Sequence, residues 1–323
     1  MGTFLATPKM HPALVARIER SVGARTKRVR EKRVNARFRT SLLRLTIAVG
    51  VTALVSTALV ARRRYQQEVS RARSALLDTV HAQNASLTAD ERSFMSRVEP
   101  WLSGLAASYE GDVVADELRP AKALDATLAR SSVYVRGPLS AFGTSAAIAD
   151  TASASTRDSF LLCLLDPPAS RVEKVVLSKV RALYGGGSNV AVHARRLHDA
   201  EAGLRQMLSP WEDRVARAPE LRDLDRIKGE LAKVPVVEAK RAAQAELLIA
   251  AMDEADETGP ADLDGERPHQ VRAIVIDLRA GKVLLRARKR VDPNWLAANT
   301  RSTFASAVDG CALAFDVRAA AGR

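Results

Sequence analysis

Two cysteines are the residues with the most direct chemistry in the sequence. Cys163 and Cys311 are the only cysteines among 323 residues. Cys163 is expected inside a strand at 159–165, and Cys311 beside a strand at 312–317. In an exported domain the oxidising surroundings would allow them to form a disulfide. Closure of a loop of about 150 residues would stabilise the fold by roughly 5 kcal/mol in the chain-entropy model. The alternative is a pair of buried free thiols that pack as small apolar residues.

Two aspartates are the candidates for a carboxylate site. Asp166 follows the apolar run 159–165, and Asp277 ends the apolar run that begins at Val271. Carboxylates at neighbouring strand ends could bind a cation or share acid–base catalysis. Nothing in the sequence brings the two runs together, and aspartate is common in turns for local reasons.

Other motifs exclude common catalytic machinery. His193 and His198 are five residues apart, so on a helix they diverge and make a poor metal pair. The glycine run Tyr184–Ser188 follows a predicted helix and lacks the lysine of a phosphate-binding loop. We therefore expect no catalytic, cofactor-binding or metal-binding residue, which favours a binding or structural module over an enzyme.

A basic strip is the candidate contact surface. It lies on a predicted β-hairpin and comprises Arg272, Arg279, Arg286, Arg288, Lys289 and Arg290. Such a strip could receive an acidic envelope protein, an anionic polymer or lipid headgroups. The alternative is a solvated hairpin edge whose charges discourage edge-to-edge aggregation.

The distribution of charge argues against a nucleic-acid-binding body. The first 64 residues contain 15 of the 50 Lys and Arg residues but only two of the 37 acidic residues. Basic and acidic residues are equal in number in the rest of the chain. The net charge of +13 therefore belongs to the N-terminal segment. It indicates nothing about a ligand of the larger part of the chain.

An apolar segment predicts a transmembrane helix at 41–61. Residues 45–61 carry no charge and would span roughly 26 Å, somewhat less than the 30 Å or so of a hydrocarbon core. Arg44 could extend to the headgroups. A basic region of some 40 residues is too long for a cleaved signal peptide, which favours an uncleaved signal-anchor. A stripe of Ala48, Thr52 and Ser56 could allow a homodimer.

The basic flanks of this segment set the expected topology. Eight Lys and Arg residues lie in the 20 positions upstream and five in the 20 positions downstream. The positive-inside rule then favours a cytoplasmic N-terminus and an exported C-terminal domain at the inner membrane of a bacterial cell envelope.

The expected fold is α+β. A capping box at Thr88–Glu91 predicts a helix start, and Gly281 lies where a hairpin between strands 271–278 and 283–290 needs a turn. The hairpin predicts a small antiparallel sheet, to which residues 246–252 could add a third strand, although that segment could equally finish a helix. The expected organisation is a basic cytoplasmic tail (1–40), the transmembrane helix (41–61), a helical juxtamembrane collar (62–132), a linker (133–157) and an α+β domain (158–323).

Together these features predict a single-pass, membrane-anchored envelope protein whose exported domain is a binding or structural module. Its expected partners are the lipid bilayer and an envelope protein or anionic polymer. One alternative is an exported, membrane-tethered enzyme of hydrolase type with a carboxylate site. The other is a cytosolic-facing domain whose basic tail contacts nucleic acid or anionic lipid.

Overall fold

The structure is a computed structural model that describes residues 12–120, 122–184, 193–254 and 268–322. The chain divides into two compact units, Met1–Arg71 and Ala72–Arg323. The helices are α1 (Pro12–Ala85), α2 (Ala89–Arg92), α3 (Phe94–Ala107), α4 (Ala123–Leu128), α5 (Ser145–Ala154), α6 (Ser159–Leu165), α7 (Glu173–Tyr184), α8 (Leu197–Met207), α9 (Trp211–Arg217), α10 (Leu221–Leu231), α11 (Val236–Ala243) and α12 (Ala298–Ala321). The strands are β1 (Val113–Val114), β2 (Ser132–Pro138), β3 (Ala194–Arg196), β4 (Leu247–Asp253), β5 (His269–Asp277) and β6 (Lys282–Val291).

The predicted transmembrane helix at 41–61 is contradicted. Within the described residues, no helix has the length and apolar character needed to cross a membrane. The single-pass, signal-anchored organisation fails with it. The physical reason lies in the length of the uncharged stretch, which at roughly 26 Å is shorter than a hydrocarbon core of about 30 Å and is bounded by Arg44 and Arg62. The side chains of residues 41–44, which the prediction included, lie outside the described part of the structure.

The α+β class is confirmed, but the sheet is larger than predicted and mixed. Its six strands lie in the order β1-β6-β5-β4-β2-β3. Strand β2 pairs in parallel with both β3 and β4, whereas the other pairings are antiparallel. The carboxyl ends of β2, β3 and β4 therefore lie at one edge of the sheet.

The hairpin and the capping box are confirmed. Strands β5 and β6 pair antiparallel, and Gly281 has a φ of 62° in the turn between them. All seven residues of β4 are buried, as expected of a strand covered on both faces. At the start of α2, Thr88 Oγ1 accepts a hydrogen bond from Glu91 N, and Glu91 Oε2 accepts one from Thr88 N.

The segment 133–157, which was predicted to be a linker, instead contains most of strand β2, which lies next to the edge strand β3, and helix α5. Strand β2 places Val133, Tyr134 and Val135 in the core with no exposed surface. Its Gly137 faces α5 so closely that a Cβ atom there would lie 2.3 Å from Thr151 Cγ2. The many Ser, Ala and Gly residues of this segment allow close packing and do not indicate irregular structure.

Two segments predicted as strands are helical. The apolar run 159–165 forms α6, which begins where the Asp158 side chain accepts a hydrogen bond from Leu161 N. The predicted strand at 312–317 belongs to α12, which continues through Gly310. A short apolar run has the same pattern in a buried strand and a buried helix, so periodicity does not distinguish them.

The sheet of the second unit is covered on both faces. Helices α6, α7 and α12 share a core cluster with Tyr134 and with alternate residues of β4 and β5, such as Ile249 and Val275. Helices α5 and α8 contact β2, and α3 contacts β4. Because strand side chains alternate between faces, Arg136, Asp253 and His269 lie on the same face as that core cluster.

Candidate functional site

The predicted basic strip is largely neutralised by acidic partners. Arg272 is buried, pairs with Glu254 and donates a hydrogen bond to Leu105 O at 2.7 Å. The neighbouring cations are also engaged, as the following pairs show: Arg279 with Glu246, Arg286 with Glu110, Arg288 with Glu254 and Lys289 with Asp112. Arg290 is exposed. The strip therefore holds neighbouring segments on the hairpin rather than presenting a continuous cationic surface.

Tyr109 is the centre of these contacts. The guanidinium groups of Arg272, Arg286 and Arg288 lie 5.4, 5.6 and 5.7 Å from its ring centroid. Its hydroxyl donates a hydrogen bond to Asp112. Burial, with that hydrogen bond, raises the pKa of Tyr109 to about 12, so the phenol stays neutral at physiological pH. Cation–π packing of this kind attaches the segment after α3 to β5 and β6.

The two predicted carboxylates have separate cationic partners. Asp166 pairs with Lys179 of α7. Asp277 pairs with Arg130 at 2.9 Å and accepts hydrogen bonds from the backbone N–H groups of residues 279 and 280. Burial opposes ionisation of Asp277, but these donors hold its pKa below the usual value. Each carboxylate is therefore satisfied locally, and the structure gives no support to a shared site.

The cysteine pair is joined by a disulfide. Cys163 in α6 and Cys311 in α12 have Cα atoms 5.1 Å apart and are 148 residues apart in sequence. The disulfide links two helices on the same face of the sheet, not the strands expected from the sequence.

A buried ionic network occupies the carboxyl edge of the parallel strands. Arg136 of β2 donates two hydrogen bonds, of 3.0 and 2.7 Å, to Asp253 at the end of β4. A third, of 2.9 Å, goes to Asp158. His269 Nε2 lies 3.1 Å from Asp253 Oδ1. The Tyr134 hydroxyl donates a hydrogen bond of 2.8 Å to Asp158. Burial alone would suppress these charges, but Asp253 and Asp158 hold the pKa of Arg136 well above its usual value.

This network orders the short segment 155–158. Ser155 Oγ accepts a hydrogen bond of 2.9 Å from the backbone N–H of Arg136. Asp158, at the other end of the segment, joins Arg136 and caps α6. The two residues between them, Thr156 and Arg157, are exposed. They are thus held at a defined position beside the carboxyl end of β3.

A cleft lies at this position, and we call it the arginine cleft. Its volume is about 360 Å³, and it is lined by Thr156, Arg157, Ala194, Arg195, Arg196 and Asp199. Arg196 is paired with Asp199 at 2.9 Å. Within the described ranges, no carboxylate pairs with the guanidinium of Arg195. Arg196 and Asp199 balance each other, and Arg195 adds a positive charge to the cleft.

Two features of the sequence indicate this site weakly. Arg136 interrupts the apolar run of β2, and a charge at such a position requires a buried partner. Arg195 and Arg196 are adjacent in the chain and directly precede a helix. Their convergence with Arg157 depends on the parallel pairing of β2 and β3, which local patterns do not reveal.

Neither metal chemistry nor known proteins point to a function. In the described parts of the chain, no three His, Cys, Asp or Glu side chains are grouped to hold a metal ion. Comparison of the chain with protein-family models, curated proteins and solved structures found no match.

Proposed function

We propose that the protein is a binding module that holds an anionic ligand in the arginine cleft. The observation that carries this proposal is the convergence of Arg157, Arg195 and Arg196 on one cleft of about 360 Å³. Guanidinium groups are the side chains best suited to bidentate recognition of phosphate and carboxylate. Cleft sites at the carboxyl ends of parallel strands are frequent ligand sites in α/β sheets.

The cleft suits one oxyanion group rather than a long polymer. Its volume is at the lower end of the range for small-molecule sites, which starts at about 300 Å³. Thr156 adds a hydroxyl that donates to an oxyanion, and Asp199 balances one of the arginines. The buried network around Arg136 holds the wall formed by Thr156 and Arg157 in place before a ligand arrives. Such preorganisation reduces the entropy lost on binding.

We further propose that the protein functions in an oxidising compartment. The disulfide between Cys163 and Cys311 supports this proposal, because such bonds persist outside the reducing cytosol.

Substitution of Arg195 tests the anion site. We expect the purified full-length chain to bind inorganic phosphate, and Arg195→Ala to weaken that binding by about tenfold or more, because a charge-assisted hydrogen bond is lost. Titration followed by calorimetry or by NMR chemical shifts would measure the affinity. Added sodium chloride should weaken the binding, as expected for an exposed charge interaction.

Arg290→Ala is the matched control, since it removes an exposed arginine from the strip on β6 and leaves the arginine cleft intact. Its affinity should equal that of the wild type. Equal losses in both variants would indicate nonspecific attraction to a basic protein and would refute the site. Absence of phosphate binding at concentrations up to about 20 mM would refute it as well.

A further inference from the structure

A groove lies between α1 and α10 in the second unit, and we call it the helical groove. Its volume is about 420 Å³. Most of its lining is apolar, and the apolar residues are Ala72, Ala75, Leu76, Leu224, Leu231 and Ala232. The part of α1 that lines it, residues 72–83, extends over roughly 16 Å, or three helical turns. The groove is therefore long enough to receive a helix of a neighbouring molecule.

The packing of α1 leaves this groove open. The Arg73 side chain donates a hydrogen bond of 2.7 Å to Ala218 O at the end of α9. His81 Nε2 lies 3.0 Å from Glu212 Oε1, near the start of the same helix. These contacts attach α1 to α9, and the small side chain of Ala75 leaves space on the side that faces α10.

The outer face of α10 carries a stripe whose order is self-complementary. Leu221, Asp225, Lys228 and Ala232 follow one another at intervals of four, three and four residues, and Ala232 directly follows the helix in αR conformation. This spacing places them on one face. Leu221 is half-buried and the other three are exposed. The intervals are symmetric about the midpoint between Asp225 and Lys228. A two-fold axis there would bring each of these two residues against the other in a second copy.

The two charges of the stripe are available for such contacts. Among the described residues, neither the Asp225 carboxylate nor the Lys228 ammonium has an ion-pair or hydrogen-bond partner. Both side chains line the helical groove. By contrast, Arg226 lies on another side of α10 and is paired with Asp223 at 3.5 Å. The rim of the groove thus has one unpaired acid and one unpaired base, one helical turn apart.

We propose that the helical groove is the interface of a symmetric dimer, in which α10 of a second copy of this chain packs antiparallel against α10. Asp225 of each copy then pairs with the second copy's Lys228, and Leu221 packs on the second copy's Ala232. An interface with a two-fold axis uses the same patch on both subunits, so its charges must complement themselves as these do. The α1 and α10 helices of the two copies together form a four-helix arrangement. No residue of the arginine cleft takes part.

Charge reversal on the stripe tests the dimer. Sedimentation equilibrium of the full-length chain should show a dimer at concentrations of about 10–100 μM. Asp225→Lys places two pairs of like charges across the axis and should weaken dimerisation about tenfold or more, and Lys228→Asp should do the same. The double variant Asp225→Lys, Lys228→Asp restores opposite charges across the axis. Its dimerisation constant should return to within about threefold of the wild type.

Arg226→Asp is the matched control. It changes the charge by the same amount as Lys228→Asp on the same helix, but Arg226 lies outside the stripe and does not line the groove. Its dimerisation constant should stay within about twofold of the wild type. Asp225 and Lys228 are both exposed, so the reversed chains should fold. Recovery in the double variant would exclude misfolding as the cause of the losses in the single variants.

Three results would overturn the proposal. The first is a wild-type chain that stays monomeric at concentrations up to about 100 μM. The second is unchanged association in both single variants, which would assign self-association to another surface, such as the exposed apolar side chains between Leu45 and Val60 of α1. The third is a double variant that dimerises as weakly as the single variants, which would show that the two charges do not face each other.

Discussion

Asp309 illustrates how a single buried residue couples the structure to pH. Most buried acids here are balanced, as Asp253 is by Arg136 and His269, and its pKa is lower than usual despite burial. Asp309 has no such partner among the described residues, and burial raises its pKa to about 7. An ionised form would carry an uncompensated charge in the core, which is costly.

The pH dependence of stability should report this residue. The pKa of Asp309 in the folded protein lies above its unfolded value of about 4, so the folded state retains a proton that the unfolded state releases. Its contribution to stability is complete below about pH 4 and is lost as the pH rises to about 7. We expect Asp309→Asn to match the wild type near pH 4 and to be more stable above pH 7, by roughly 2–4 kcal/mol. Urea unfolding across this pH range would measure the difference.

Asp316→Asn serves as the control for this measurement. Its carboxylate is partly exposed and paired with Arg171, so removal of its charge should not reproduce the gain above pH 7. Stability profiles of wild type and Asp309→Asn that run parallel from pH 4 to 8 would contradict the raised pKa.

The structure shows which partners the predicted site residues have. The disulfide predicted between Cys163 and Cys311 is present in the structure, so the alternative of two buried free thiols does not hold. The basic strip was predicted from Arg and Lys residues on one hairpin without knowledge of their acidic partners. Those partners, such as Glu110 and Asp112, precede the hairpin by more than 150 residues.

At the scale of elements, the contact between α6 and α12 depends on a single glycine. A Cβ atom at Gly310 would lie 2.2 Å from Ser159 Oγ and 2.8 Å from the backbone nitrogen of Phe160. The serine hydroxyl could rotate away, but the backbone atom could not. The glycine therefore allows the close approach of the two helices that the disulfide also joins.

Gly310→Ala should destabilise the protein by roughly 2–3 kcal/mol, since overpacking forces the two helices apart. The gain in helix propensity, about 1 kcal/mol, is smaller than this cost. Chemical denaturation would measure the change. Gly229→Ala in α10 is the control, because a Cβ atom there meets no atom within 4 Å. That variant should be more stable than the wild type by about 0.5–1 kcal/mol. Stabilisation by Gly310→Ala would contradict the close contact.

At the scale of the whole molecule, the mixed sheet joins distant parts of the second unit. Strand β2 pairs with β4, so that Arg136 reaches Asp253 across 117 residues of sequence. The disulfide joins residues separated by 148 positions on the same face of the sheet. The disulfide persists when the chain unfolds, so it removes conformational freedom mainly from the unfolded state, whereas the strand pairing exists only in the folded protein.

Loss of the disulfide should therefore weaken the fold as a whole. We expect a Cys163→Ala, Cys311→Ala double variant to lose roughly 3–5 kcal/mol of unfolding free energy. Reduction of the wild type with dithiothreitol should lower its melting temperature, whereas the same treatment should leave the double variant unchanged. Full alkylation of both thiols in unfolded, unreduced protein would show that the bond does not form.

The sequence by itself determined the elements that depend on neighbouring residues. The capping box at Thr88 and the β5–β6 hairpin with its turn at Gly281 follow from side chains a few positions apart. The transmembrane prediction also used only local composition, and it failed because its uncharged stretch was short and needed extension past Arg44. The α+β class follows from the number and type of the elements that were predicted correctly.

Only the tertiary structure decided where distant residues meet. The parallel pairing of β2 with β3 and β4 placed Arg157 and Arg195 around one cleft, and the packing of α12 buried Asp309 beside Trp295. The helical state of α6 was likewise set by its position against the sheet, because a buried apolar run fits either state. These arrangements depend on long-range packing and strand register, which local residue patterns do not encode.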